Sequence, residues 1–291
     1  MKSAFIALLG SPNVGKSTLL NAFIGRKIAI VTKKAQTTRN RITGILTTDT
    51  YQMVFVDTPG IMQPKNKLGE FMVKTAESVA KDVDVVLFLA DAKTGARERD
   101  QQTLANLAHL PVIIAVNKTD AVDDARIQEV ENSLRVFDRP MFRVSAKTGA
   151  GVDLLLKELE QYLVDGPQFY PQSMVTDQPE SFTLAEIIRE KALKGIGKEI
   201  PHGIGVEIEK HVFDDQKKIY HIDAVIYCEK DSHKGIVIGK GGAMLKKLAS
   251  AARKDMEELL GHKVFLQVFV KVKPDWRNKP SILKTLGYRE E

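Results

Sequence analysis

Cysteine is nearly absent from this chain. Cys228 is the single one in 291 residues, which excludes an intramolecular disulfide and fits a reducing compartment. A small buried hydrophobe in a strand is its expected role. Histidines and cysteines form no cluster with metal-ligand spacing. No apolar run approaches the roughly eighteen residues of a membrane-spanning helix. Met1-Lys2-Ser3 and the short apolar stretch after it lack the length and cleavage pattern of a secretory leader, so a soluble cytoplasmic protein is expected. Charge is only mildly biased: a formal +6 with pI near 9.1 hints at nucleic acid or another anionic surface without naming one. The length suits about two domains.

What is present begins at Gly10-Ser11-Pro12-Asn13-Val14-Gly15-Lys16-Ser17, which fits the phosphate loop Gly-x-x-x-x-Gly-Lys-Ser. The apolar run Ala4 to Leu9 before it reads as a buried strand, and Thr18 to Ile24 after it has helical spacing. In that setting backbone N–H groups converge on phosphate oxygens, with the positive end of the new helix dipole behind them. Lys16 reaches the β- and γ-phosphates, and the Ser17 hydroxyl holds magnesium.

The base is chosen elsewhere. Asn117-Lys118-Thr119-Asp120 follows Val112 to Val116, a continuous apolar run typical of a parallel strand buried on both faces. The Asp120 carboxylate can accept from N1–H and the 2-amino group of guanine. Adenine lacks that amino donor, and sites built around such a donor reject the analogue by roughly 10⁴ or more. Asn117 ties this loop to the phosphate loop and to N7, and the stem of Lys118 covers the base. Ser145-Ala146-Lys147 offers the Ala146 N–H to guanine O6.

Between these lies Asp57-Thr58-Pro59-Gly60, closing the strand Met53 to Val56. Asp57 would hold magnesium through water, and the Gly60 N–H would sense the γ-phosphate. Upstream, Ala35-Gln36-Thr37-Thr38-Arg39 is polar. A threonine there that ligates magnesium only with the γ-phosphate in place makes an order–disorder switch; Thr38 is favoured, with Thr37 the alternative. Regulatory GTPases often carry a water-orienting glutamine just after the third-motif glycine, but here that position is Ile61, with Gln63 two residues on. Slow intrinsic turnover is expected. Asn13 could ligate a potassium ion that bridges to the phosphates, or could simply brace the loop by local hydrogen bonds.

Alternating strands and helices run to about Leu163, the pattern of an α/β sheet with helices on both faces. Val152 to Leu163 is the last expected helix, with apolar positions at Leu154, Leu155, Leu159 and Leu163. Residues 1–165 are assigned to this nucleotide domain and 166–181, with Gly166, Pro167, Pro171 and Pro179, to a linker. Within it Phe169-Tyr170 could dock on either domain. Residues 182–291 form the second domain. Its first helix has Thr183 as expected N-cap with Glu186 three later. Strands over 203–212 and 217–227 follow, joined at Asp214-Asp215-Gln216. A Gly239-Lys240-Gly241-Gly242 turn then opens a helix from about Ala243 to Leu260, before a strand over 264–272.

From Lys230 to Lys254 seven basic residues, Lys246 and Lys247 among them, face one acid, Asp231. With this order of elements, the glycine turn reads as that of a KH domain, which clamps the backbone of about four unpaired nucleotides. Trp276 could stack on a base or anchor the tail on the core.

Taken together these segments resemble the Era family of bacterial ribosome-assembly GTPases, in the TrmE-Era-EngA-like superfamily, over essentially the whole chain. The likeness rests on 10–17, 36–39, 57–60, 117–120 and 145–147, and in the second half on Ala185–Lys191, Val206–Glu209 and His233–Gly242. It implies a P-loop GTPase domain followed by a type II KH domain, with GTP or GDP and Mg²⁺ bound. RNA contacts would fall on His233, Lys234, Gly235 and the glycine turn. It further implies recognition of the 3′ end of 16S ribosomal RNA, action on the 30S subunit as an assembly checkpoint, a monomer, and partial peripheral attachment to the inner face of the cell membrane. Ile200 to Gly205 departs from relatives, which tend to carry a bulkier residue after the proline-led turn. Three rivals stand beside this reading. A tRNA-modification GTPase would need a modification domain where 182–273 reads as KH. The others are an RNA-binding scaffold without turnover and a GTPase that docks its basic face on anionic lipid.

Overall fold

The computed structural model describes the chain except Ala35, Ile61 to Gln63, Ala80, Lys81, Lys198, Glu199 and Arg289 to Glu291, together with the side chains of Glu77, Pro201 and His202. The expectations placed on Ile61, Gln63, Ala35 and part of the 200–205 turn fall outside it. Two compact units are present: Met1–Gln63 with Met72–Asp177, and Pro64–Phe71 with Gln178–Glu291.

The first unit runs β1 (Lys2–Leu9), α1 (Lys16–Ile24), β2 (Ile42–Thr47), β3 (Tyr51–Asp57), α2 (Lys67–Val79, of which only the part from Met72 lies in this unit), β4 (Val85–Asp91), α3 (Glu98–Asn106), β5 (Val112–Asn117), α4 (Asp124–Leu134), β6 (Met141–Arg143), α5 (Val152–Leu159) and β7 (Val164–Asp165). Strand order is β2-β3-β1-β4-β5-β6, with β7 added on β1. The pairs β1/β3, β1/β4, β4/β5 and β5/β6 are parallel, while β2/β3 and β1/β7 are antiparallel. Every residue of β4 and β5 is buried, as expected of strands that read as unbroken apolar runs. Phe88, Val86, Ile114 and Val116 are central to that core. The ends of β1, β3 and β5 release the chain at Gly10, Thr58 and Lys118, so the three nucleotide motifs emerge at the carboxyl ends of parallel strands, where ligands bind in such sheets.

α5 stops at Leu159 and a tighter turn covers Glu160–Tyr162. Leu155 and Leu159 are buried but Leu154 is exposed: one position away from Leu155, it lies about 100° round the helix. The stretch after β7 packs on the first unit. Gln52, fully buried in β3, accepts from Phe169 N (2.9 Å) and Tyr170 N (3.0 Å) and donates to Tyr170 O (2.9 Å). The Phe169 ring meets Phe5 edge-on with centroids 4.9 Å apart, and Ile45 N donates to Val175 O at 2.9 Å.

The second unit is α6 (Glu180–Gly195), β8 (Gly205–Asp214), β9 (Ile219–Cys228), α7 (Asp231–Ile238), α8 (Ala243–Leu260), β10 (Lys263–Val272) and α9 (Pro280–Thr285). β9 is central, antiparallel to β8 and parallel to β10. α6 starts at Glu180 rather than after Thr183, because Pro179 takes the N-cap position and its carbonyl already receives Phe182 N and Thr183 N. Thr183 therefore sits inside the first turn. The hairpin closes as expected, with Asp214 Oδ1 accepting from Gln216 N and Lys217 N, both at 3.0 Å. Leu184, Ile188, Ile222, Ile226, Val237, Leu248 and Ala252 form its core. Cys228 belongs to it, buried and unbridged, with burial pushing its thiol up to about 11. Trp276 is fully buried and its Nε1 donates to Gly203 O at 2.8 Å, so it anchors the tail and presents no face to a base. Among the described residues, no helix is long and apolar enough to cross a membrane.

Candidate nucleotide site and nucleic-acid interface

Close packing explains the glycines of the first loop. At Gly15 φ is +106°, and a Cβ would stand 2.2 Å from Asn117 Nδ2. Lys16 curls back over the loop, its Nζ donating to Gly10 O (2.9 Å) and Ser11 O (3.2 Å). Burial lowers its pKa, against the charges of Asp57 and Asp100. Ser17 Oγ donates to Asp57 Oδ2 at 2.5 Å and lies 2.9 Å from Thr38 Oγ1, which reaches the same carboxylate oxygen at 3.4 Å. Thr37 Oγ1 instead meets Thr32 Oγ1 (2.7 Å) and donates to Lys34 O (2.6 Å). Of the two threonines, Thr38 is the one brought to Ser17 and Asp57.

Asp57 is fully buried, and its Oδ1 has no hydrogen-bond partner. Burial pushes its pKa up to about 6, opposed by Lys16 and by hydrogen bonds from Ser17, Thr38 and the Thr58 backbone. Thr58 Oγ1 donates to Leu8 O at 3.0 Å, and a Cβ on Gly60 would lie 2.8 Å from Pro12 Cα. The third motif thus lies directly against the phosphate loop.

On the other side, Asn117 Nδ2 donates to Val14 O at 2.8 Å, which ties β5 to the loop as expected. Its Oδ1 accepts the Ala146 N–H at 3.0 Å, so that N–H, expected at a base, is engaged by Asn117 here. Lys118, in the left-handed region at φ +69°, sends Nζ to Asn13 O (2.6 Å) and Asp91 Oδ2 (2.5 Å). Thr119 Oγ1 donates to Val144 O at 3.0 Å. Asp120 Oδ1 accepts from Ser145 Oγ at 2.7 Å, with Lys147 Nζ 3.6 Å from Oδ2. The Ser145 hydroxyl is the main reason the Asp120 pKa is lowered; the carboxylate is held ionised. Asn13 Nδ2 donates to Lys33 O at 3.2 Å.

Sequence reasoning passed over two carboxylates. Asp91 ends β4 in register with Asn117 and pairs with Lys118. Asp100 Oδ1 accepts from Ser11 Oγ at 2.6 Å, while Oδ2 caps α3 through Arg97 N at 3.0 Å. Asp91, closing an apolar strand, carried a readable signal; Asp100 looks like any acid in a helical first turn.

In the second unit α7 and α8 meet at the glycine turn. Gly239, Gly241 and Gly242 have φ +73°, +59° and +79°. A Cβ on Gly239 would fall 2.7 Å from Met244 Cβ, but nothing lies within 4 Å of one on Gly241 or Gly242. Lys240, Lys246, Lys247 and Gly235 are exposed; His233 and Lys234 are half-buried. The turn leads into the N-terminus of an eighteen-residue helix, an arrangement that suits an anion.

Family models match over residues 5–118 (50S ribosome-binding GTPase) and 199–277 (KH domain). GTPase Era of Caldanaerobacter subterraneus subsp. tengcongensis is 48% identical, covering 99% of this chain and 98% of its own. GTPase Era of Ruminiclostridium cellulolyticum is 47% identical, again covering 99% and 98%. The chain belongs to the Era family of GTPases. A crystal structure of an Aquifex aeolicus Era variant bound to GDP·AlF4⁻ aligns with TM-score 0.95 at 36% identity, covering all of both chains. So does, at the same score, identity and coverage, Era in complex with MgGDPNP and nucleotides 1506–1542 of 16S ribosomal RNA.

As an Era-family enzyme the chain binds GTP and GDP and hydrolyses GTP to GDP and phosphate. Its residues fit magnesium. Two hydroxyls, Ser17 and Thr38, converge on Asp57, whose buried Oδ1 lacks a partner. Hard oxygen donors with one carboxylate suit an ion that takes its other ligands from water and phosphate. Among the described residues, no group of three or more His, Cys, Asp or Glu gathers for a metal.

Proposed function

We propose that this chain is a GTP-driven switch in 30S ribosomal subunit assembly that binds the single-stranded 3′ end of 16S ribosomal RNA. Residues 1–165 act as the GTPase domain, 166–181 as the linker and 182–291 as the RNA-binding domain. The observation that carries the RNA assignment is the Gly239–Gly242 turn: Gly241 and Gly242 are left-handed with open space where side chains would be, beside exposed Lys240. The likeness to an Era structure that contains 16S ribosomal RNA supports it.

In this reading Lys16 leaves its two loop carbonyls for the β- and γ-phosphates, which restore the charge partner that burial denies it. Ser17, Thr38 and Asp57 hold magnesium, which supplies charge neutralisation at the transferring phosphoryl group. Thr38 and the Gly60 N–H respond to the γ-phosphate, and Asp120, aligned by Ser145, reads guanine. The Asn13 amide nitrogen is committed to Lys33 O, so its oxygen is the atom for a potassium ion; equal GTPase rates in sodium and potassium would count against that role. The protein acts as a cytoplasmic monomer with partial attachment to the inner membrane face, tested by vesicle flotation.

GTP and RNA are coupled, so each tightens the other by the same factor. The deciding experiment replaces Lys240 and Gly241 by Asp in the full chain. RNA affinity falls while GTP affinity, measured without RNA, is unchanged. Undiminished RNA binding would overturn the assignment.

A further inference from the structure

The GTPase unit carries a strongly basic segment whose exposed side chains, Arg26, Lys27 and Lys33, have no part in the nucleotide chemistry above. Residues 25–41 contain Arg26, Lys27, Lys33, Lys34, Arg39 and Arg41 and no acid. The chain has 43 basic and 37 acidic residues, so without these six the counts are equal. The segment's excess of six positive charges is matched in the chain by Lys230–Lys254, where seven bases stand against one acid.

The described residues of 25–41 are held in shape rather than left as a loose tail. α1 closes on the left-handed Gly25. Asn21 then clamps the chain that follows: its Oδ1 accepts from Ile28 N and Ala29 N, both at 2.9 Å, and its Nδ2 donates to Ala29 O at 2.8 Å. Arg26 and Lys27, between helix and clamp, are exposed. A second lock forms where Thr32 Oγ1 accepts from Lys34 N at 3.0 Å and meets Thr37 Oγ1 at 2.7 Å. Lys33, exposed, sits within it, its carbonyl taken by Asn13 of the phosphate loop. The basic groups therefore flank α1, Arg26 and Lys27 at one end and Lys33 by the loop at the other. Nine residues at 1.5 Å each put these ends about 13 Å apart, enough to follow several phosphates of one strand.

We propose that Arg26, Lys27 and Lys33 form a second RNA surface, on the GTPase unit, that takes the phosphate backbone of RNA flanking the strand held at Gly239–Gly242. It rests on the RNA-binding reading above. Ordered cations without aromatic or amide readers position a backbone and carry no sequence information. A lipid surface fits less well, since membrane-lying segments bury apolar side chains in the interface, and here Ala29 and Ile30 are turned into the protein core.

The test uses the full-length protein with a GTP analogue, and Arg26→Gln/Lys27→Gln/Lys33→Gln beside the parent. One probe is an RNA copy of nucleotides 1506–1542 of 16S ribosomal RNA, the length seen with the Era relative. The other is a short unpaired strand from its 3′ end. On the long RNA, the variant should lose about 2 from the slope of log affinity against log salt, roughly 0.7 per lost contact. A fourfold rise in salt then weakens the parent roughly twentyfold more than the variant. Short-strand affinity and GTP affinity should be unchanged. Equal slopes on the long RNA overturn the proposal while leaving the glycine turn standing. So does loss of binding to phosphatidylglycerol–phosphatidylethanolamine vesicles with RNA binding intact. A parent that binds neither RNA overturns the RNA reading and this surface together.

Discussion

The phosphate loop and the Gly239–Gly242 turn both depend on glycine and lysine, yet for opposite physical reasons. At Gly10, Gly15 and Gly60 a Cβ would stand 2.5, 2.2 and 2.8 Å from other protein atoms, so those glycines are required by the protein's own packing. At Gly241 and Gly242 nothing comes within 4 Å, so backbone conformation alone asks for glycine there. The lysines differ likewise. Lys16 is buried among carbonyls with its charge disfavoured, whereas Lys240 is exposed. One set of glycines is packed in by the protein itself; the other stands open.

The largest effect should come from the guanine reader. Asp120→Asn removes the acceptor pair for N1–H and the 2-amino group, so GTP affinity should fall by roughly 10⁴ with xanthosine triphosphate preferred. Competition binding with the two nucleotides measures this, and retained GTP preference would remove Asp120 from the site. RNA affinity without nucleotide should not move.

Next is the glycine contrast itself. Gly15→Ala combines a φ of +106° with a 2.2 Å approach to Asn117 and should cost several kcal/mol, since strain and overpacking each cost about 1–3 kcal/mol. Gly242→Ala, strained at φ +79° but in open space, should cost only about 1–2 kcal/mol. Urea melts of the two variants decide whether the difference is real; equal losses would erase it.

Acidity separates the two regions further. A carboxyl raised from 3.8 to about 6 binds its proton more tightly in the folded state than in the unfolded one. Its contribution to stability is therefore present below pH 3.8 and lost as pH rises through 6. Magnesium competes with that proton, so magnesium affinity should weaken as pH falls through about 6. Melts of the nucleotide-free protein, and magnesium titrations with GDP, should show both trends in the parent and neither in Asp57→Asn. RNA binding at the exposed turn should lack this midpoint.

A further effect, comparable to that of Gly242→Ala, concerns Trp276. Trp276→Phe removes the bond to Gly203 O and should lower stability by about 1–3 kcal/mol, the cost of a buried acceptor left unpaired. RNA affinity should hold, and a specific loss of it with stability intact would restore a stacking role.

Much of this was legible from residue order. Strong periodicity marks elements whose burial is symmetrical, and β5 stands where the unbroken apolar run Val112 to Val116 put it. The glycine loop, Asn117 to Asp120 and the 239–242 turn carry their chemistry in adjacent residues, and spacing reveals them. What was missed depends on partners far away in the chain. Thr183 looked like a cap, but Pro179 supplied the carbonyl first. Leu154 looked like core until the helix turned it outward. Asp100 joins Ser11 across eighty-nine residues, and Gln52 holds the backbone of Tyr170; no local pattern announces either.

By itself, then, the order of residues determined the family, the two domain types and the guanine-nucleotide chemistry, because those reside in contiguous motifs and in the period of apolar side chains. The tertiary structure decided which threonine joins Ser17 and Asp57, that Trp276 is an anchor, and which glycines are packed and which stand open. Each of these depends on what folding brings within a few ångströms, and neighbours in space are not neighbours in the chain.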